Sequence, residues 1–189
     1  MGMSHATERW TAEHVRALPD DGKRYELIEG ELVVTPAPCG LHQEAVMALI
    51  RRLDPWLRER GIARMLASPA DLALGEDEVL QPDLFVCRTA NGTAVRDWSD
   101  IAALLLIIEV LSPTTARYDR QLKRRRYQRA GVPEYWIVDP DARLIERWHP
   151  PDSAGPEVIT DQMRWEPVPG HGVLEFGVGA LFAELNGEA

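Results

Sequence analysis

Residues 103–108, Ala-Leu-Leu-Leu-Ile-Ile, form an unbroken apolar run. This feature constrains the fold more than any other. A strand that is apolar at successive positions buries both faces, so it belongs at the centre of a sheet covered on both sides. The run ends on Glu109, followed by Val110 and Leu111. A second acid, Asp83, follows Pro82 in the short run Leu80-Gln-Pro-Asp-Leu-Phe-Val-Cys87. A carboxylate in such a place loses hydration worth several kcal/mol unless a partner or cation compensates it.

Around this centre the chain supplies a definite order of elements. Thr11 caps a short helix through Ala17, and Tyr25–Val34 reads as a β-hairpin turning at Glu29-Gly30. From His42, apolar Val46, Leu49, Ile50, Leu53 and Leu57 recur at helical spacing up to Gly61. Pro55 is expected to bend or restart this helix, with Asp54 as a cap. Strands are expected over 64–74, 79–87 and 103–111, the last two separated by a loop around Asn91-Gly92 and 97–100. Ser112-Pro-Thr-Thr115 offers caps for a helix to about Ala130, with Gly131 beyond its end. Strands at 134–138 and 144–148 follow, then a proline-rich loop over 149–156. A tail of short strands ends in a helical turn near Leu181-Phe182. From Leu41 to Val138 the order is α-β-β-β-α-β, which implies an α/β (α+β) sandwich around a mixed sheet, preceded by the hairpin. The 189 residues suit one domain with a substantial core.

Composition narrows the class. No stretch reaches the roughly 18–20 apolar residues that span a bilayer, and the N-terminus lacks a signal peptide's apolar segment, so a cytoplasmic protein is expected. Cys39 and Cys87 are isolated, which suits reduced, structural thiols. There is no Gly-rich phosphate loop, no G-x-S-x-G elbow and no zinc pattern, and His5, His14, His149 and His171 have no ligand spacing. The net charge of −9 argues against a nucleic-acid partner until its distribution is considered. Residues 112–131 hold seven basic side chains against Asp119 alone and carry +6, which leaves −15 on the rest. This ridge, with Arg117, Arg120, Arg124 and Arg125 as candidate contacts, is compatible with a phosphate backbone. The alternative is a solvated helix face that pairs with the surplus acids.

The acids and the ridge together suggest phosphodiester hydrolysis. Magnesium (or manganese) is held by one or two carboxylates plus water and phosphate. Asp83 and Glu109 supply these if their strands are neighbours. Lys123 would orient the attacking water or stabilise charge on the phosphate. Asp119, Lys123 and Tyr127 fall at i, i+4 and i+8 on one helix stripe. Alone, that stripe equally describes a surface ion pair above a half-buried tyrosine. Tyr135 and Trp136 read as core.

Several segments carry a resemblance: Tyr25-Glu-Leu-Ile-Glu-Gly-Glu-Leu, His42, Pro82-Asp83, Ile108-Glu-Val-Leu-Ser-Pro113, Asp119-x-x-x-Lys123-x-x-x-Tyr127 and Gly131-Val-Pro-Glu-Tyr-Trp-Ile-Val-Asp139. Together they resemble the Uma-two family of endonucleases, in the PD-(D/E)XK restriction-endonuclease-like superfamily. The resemblance implies the α-β-β-β-α-β core, Asp83 and Glu109 as metal ligands, and Lys123 as the catalytic lysine. Glu26 would be a further acid or a partner of Lys123, and His42 would contact metal-bound water or simply cap its helix. The superfamily signature places its lysine two residues after the second acid, where this chain has Leu111, so Lys123 must reach the site from the following helix. Thr114 stands where the family more often has serine. The expected activity is a metal-dependent DNA endonuclease, with a homodimer suited to cutting both strands. The alternatives are a catalytically silent nucleic-acid-binding or interaction module on the same fold, and a structural domain whose acids and arginines form ion-pair networks.

Overall fold

A computed structural model describes residues 9–19, 21–75, 78–90, 92, 94–150 and 155–188. Residues 1–8 with His5, Asn91 of the first loop and residues 151–154 of the proline-rich loop lie outside the described residues. Helix α1 (Ala12–Arg16) is capped by the Thr11 hydroxyl, which accepts from His14 N at 3.2 Å. The hairpin is β1 (Arg24–Ile28) and β2 (Glu31–Thr35). Its two turn residues, Glu29 and Gly30, both have positive φ, at 56° and 81°. Such a turn matches the strands' own twist and favours glycine.

The long helix α2 (Gly40–Arg60) ends on Gly61 in the left-handed conformation. It passes through Pro55 without restarting. An interior proline costs about 3 kcal/mol; burial of Leu49, Leu53 and Leu57 on one face outweighs this locally. Asp54 is no cap; it accepts from Arg58 Nε at 2.6 Å.

Two of the three expected strands are each cut in two. Residues 64–74 become β3 (Arg64–Ala67) and β4 (Leu72–Gly75), and residues 79–87 become β5 (Glu78–Leu80) and β6 (Leu84–Thr89). The breaks fall at Pro69 and Pro82, which cannot donate to a ladder. Ser68 joins the corners, its N–H donating to Asp83 O at 3.1 Å and its hydroxyl to Pro82 O at 2.7 Å. Each original run thus leaves one sheet and enters another. β7 (Ile101–Val110) is the central strand, followed by a helix described below, β8 (Tyr135–Asp139) and β9 (Leu144–Trp148). After β10 (Glu157–Ile159), β11 (Gln162–Trp165) and β12 (Leu174–Gly177) comes α4 (Val178–Leu185), a two-turn helix rather than a single turn.

The central sheet has the order β10-β9-β8-β7-β6-β3. It is antiparallel except for the parallel pair β7–β8, so the sheet is mixed as expected. Alternation then sorts its side chains. Leu84, Val86, Leu106, Ile108 and Val110 pack with α2 and α4 on one face. Phe85, Cys87, Ile107, Tyr135 and Ile137 pack with Tyr127 on the other, beside Leu72 and Leu80 of the smaller sheet β2-β1-β5-β4. Glu109, one residue from both Ile108 and Val110, is therefore turned to the face opposite α2. Among the described residues no helix is long and apolar enough to cross a membrane.

Candidate active site

Strand pairing brings the two acids together. β6 lies beside β7 with Leu84 opposite Ile108, so Asp83, at the Pro82 corner just before β6, falls next to Glu109. The Asp83 N–H donates to Glu109 Oε2 at 3.3 Å, and the Val110 N–H donates to Asp83 Oδ2 at 2.9 Å. Both side chains are buried, yet both line a cleft of about 200 Å³ with His42, Arg24, Thr115, Asp119 and Lys123.

Lys123 reaches the same place from the next helix. That helix starts where Ser112 O accepts Ala116 N–H at 3.1 Å, is π-helical over Tyr118–Lys123, and continues as α3 (Arg124–Arg129). Lys123 Nζ lies 3.0 Å from Glu26 Oε1, 3.2 Å from Glu109 Oε1 and 3.3 Å from Asp119 Oδ1. Tyr127 OH donates to Glu109 Oε1 at 3.1 Å, so the stripe of Asp119, Lys123 and Tyr127 faces the carboxylates and not solvent. Glu26 also accepts from Gln81 N at 2.9 Å, which ties the hairpin to the Pro82 corner. Tyr135 is core, its hydroxyl donating to Asp119 O at 3.0 Å, and Trp136 is fully buried.

His42, in the first turn of α2, points Nε2 at Asp83 Oδ2, 2.9 Å away. An ionised carboxylate only accepts, so Nε2 carries the proton. Arg24 has no place among the sequence-based expectations, yet its Nη1 donates to Asp83 Oδ1 at 2.8 Å. A signal for it existed: Arg24 and Glu26 stand at i and i+2 in β1 and so share a face.

The electrostatics follow from burial and crowding. Burial pushes the Asp83 carboxyl up, but the His42 hydrogen bond, the Arg24 charge and the Val110 N–H hold it well below the usual carboxylate range. Glu109 goes the other way. Burial raises it well above normal, and Asp83, Asp119 and Glu26 add repulsion that Lys123 does not cancel. Asp119 is raised likewise, chiefly by burial. Burial alone would lower Lys123, but Glu109, Glu26 and Asp119 push it well above the ordinary lysine value, so it remains an ammonium. With all four carboxyls ionised, the two permanent cations Arg24 and Lys123 would leave a negative surplus, and that crowding is part of what raises Glu109 and Asp119.

A divalent cation is the natural complement of that surplus, and the donor set decides whether one fits. Among the described residues no three His, Cys, Asp or Glu side chains form a ready-made cage. Magnesium does not need one, since one or two carboxylates with water and phosphate suffice. Asp83 Oδ1 and Glu109 Oε2 are hard donors on neighbouring side chains in one cleft, and among the described residues Glu109 Oε2 accepts only the long bond from Asp83 N. Two further carboxylate oxygens, Glu26 Oε2 and Asp119 Oδ1, are buried and accept no hydrogen bond among the described residues, although Lys123 Nζ stands near the latter. The residues fit a hard cation.

The basic ridge divides. Arg120 is engaged by Asp139 and Glu146, both at 2.8 Å, and Arg124 lies over the Trp148 ring at 4.2 Å. Arg126 is paired with Glu29 and Glu78. Arg117 and Arg125 are exposed.

A mixed sheet with flanking helices, and a carboxylate–lysine cluster at one end of its central strands, define a nuclease-like α/β protein. The family described as "Uma2: Putative restriction endonuclease" matches residues 12–178, a span that contains every residue of the cluster. The chain belongs to that family. The fold is similar to the crystal structure of a "putative nuclease belonging to DUF820" from Anabaena variabilis, with a TM-score of 0.72 and 22% identity. The similarity covers 93% of this chain and 98% of that one. The search of curated proteins finds no match.

Proposed function

We propose that this chain is an endonuclease that hydrolyses phosphodiester bonds of DNA with a bound divalent ion, Mg²⁺ or Mn²⁺. The observation that carries the reading is the convergence of Asp83, Glu109 and Lys123 on one cleft, with Lys123 Nζ 3.2 Å from Glu109 and Asp83 N 3.3 Å from it. Asp83 and Glu109 would hold the ion, which when bound lowers the pKa of its water and neutralises the phosphate. Lys123 is held protonated by three acids, so its part is electrostatic: a fixed positive charge beside the scissile phosphate, not a base. Tyr127 and Asp119 position Lys123 and Glu109. His42 and the Val110 N–H hold the Asp83 carboxylate in one orientation. Arg117 and Arg125 would meet the flanking phosphates, and a second copy of the chain would present the site for the other strand.

Supercoiled plasmid with Mg²⁺ or Mn²⁺ tests this directly. Wild type should nick and linearise it. Lys123→Ala, shown folded by circular dichroism, should lose cleavage by at least about a hundredfold, the scale on which removing one electrostatic stabiliser acts. Equal cleavage by the two proteins, or none by wild type with either ion, would sink the proposal.

A further inference from the structure

Two cations face the buried acids, and the structure treats them differently. Lys123 is 2% exposed and faces three carboxylates. Arg24 is 19% exposed, lies in the cleft wall, and meets Asp83 through a single nitrogen and not through its two-pronged fork. The two Asp83 oxygens differ as well. Oδ2 is fixed by the Val110 N–H and by His42, whereas among the described residues Oδ1 accepts from Arg24 alone. If Arg24 leaves, Asp83 keeps its orientation and its Oδ1 becomes available in the cleft that Glu109 also lines.

We propose that Arg24 is a displaceable counterion: it holds Asp83 Oδ1 in the metal-free protein and competes with the divalent ion for that oxygen. The inference deepens the reading of Asp83 as a metal ligand and rests on it. It gives the Oδ1 of a deeply placed carboxylate a cationic partner before any metal arrives, while Val110 and His42 keep the group aimed. The cost of this arrangement is metal affinity, since binding must first break a charge-assisted hydrogen bond. The site thus responds to a higher concentration of free divalent ion than its oxygens alone would set.

Calorimetric titration with Mn²⁺, without DNA, separates the possibilities. Arg24→Ala and Arg24→Gln should bind Mn²⁺ roughly ten- to a hundredfold more tightly than wild type, the equivalent of one charge-assisted hydrogen bond. Arg24→Lys, which keeps the charge, should stay close to wild type, and Asp83→Asn should lose the site. Unchanged or weaker binding by folded Arg24→Ala or Arg24→Gln, with Asp83→Asn still deficient, overturns the Arg24 proposal and leaves Asp83 as a ligand. Wild-type binding by Asp83→Asn overturns both. Should the neutral variants fail to fold, nitrogen NMR of the wild-type Arg24 guanidinium under Mg²⁺ titration decides. Its signals should move to those of a released side chain on saturation, and signals that stay put overturn the proposal.

Discussion

At the scale of single residues, burial sets reactivity as much as chemistry does. Cys39 stands exposed at the foot of α2 and lines the cleft, while Cys87 is buried in β6 and burial pushes its thiol up to about 11. A thiolate is the reactive form, so Cys87 is shielded twice, by access and by protonation. A thiol reagent at neutral pH should therefore modify one cysteine rapidly in the native protein and two in denaturant. Two fast thiols in the native state would contradict the placement of Cys87. A bulky adduct on Cys39 should also block plasmid cleavage, with Cys39→Ser resistant to the reagent and active.

Among the elements, α2 carries the plainest conflict between local and tertiary preference. Pro55 lacks the N–H that would donate to Arg51 O and is exposed, so it packs little in return. Pro55→Ala should restore that bond and raise stability by roughly 1–3 kcal/mol, less than the full helix-propensity gap because proline also restricts the unfolded chain. Urea denaturation measures this, and a destabilised variant would show that Pro55 serves the fold in another way. The helix bearing Lys123 shows a different compromise. Its π-helical stretch over Tyr118–Lys123 widens the turn and keeps Asp119 and Lys123 on one face above Glu109. Such segments are rare in helices and concentrate at functional sites.

For the molecule as a whole, the surplus of buried negative charge couples the site to global stability. A ligand that binds only the folded state stabilises it by about 2.7 kcal/mol at a hundredfold excess over its Kd. Millimolar Mn²⁺ should thus raise the Tm, EDTA should return it to the metal-free value, and Asp83→Asn should abolish the gain. An equal gain in Asp83→Asn would place the ion elsewhere. Charge on the outer surface bears on substrate. Of the four arginines expected as contacts, Arg120 and Arg124 are already engaged within the protein, which leaves Arg117 and Arg125 exposed. Arg117→Glu/Arg125→Glu should weaken DNA binding and flatten its dependence on salt, whereas Arg120→Glu should act mainly on stability. An unchanged salt slope in the double variant would remove this face from the interface.

The sequence by itself determined what depends on near neighbours. The apolar run 103–108 is a central strand, the Glu29-Gly30 turn joins a hairpin, and Asp119, Lys123 and Tyr127 share a stripe, because local spacing and polarity fix the type of element and which side chains lie on one face; that the stripe faces carboxylates and not solvent came from the fold. Only the tertiary structure decided which separate segments meet. Asp83 is next to Glu109 because β6 pairs with β7, and Arg24 reaches Asp83 across 59 positions through a different sheet. Pro69 and Pro82 were visible as letters, but their use as corners between two sheets depends on which ladders are available on either side. The π-helical segment has no composition of its own; it coincides with the turn that packs Lys123 against Glu26, Glu109 and Asp119. Local patterns encode burial, whereas partners across space are chosen by the summed packing and charge of the whole fold, and no short window of sequence contains that sum.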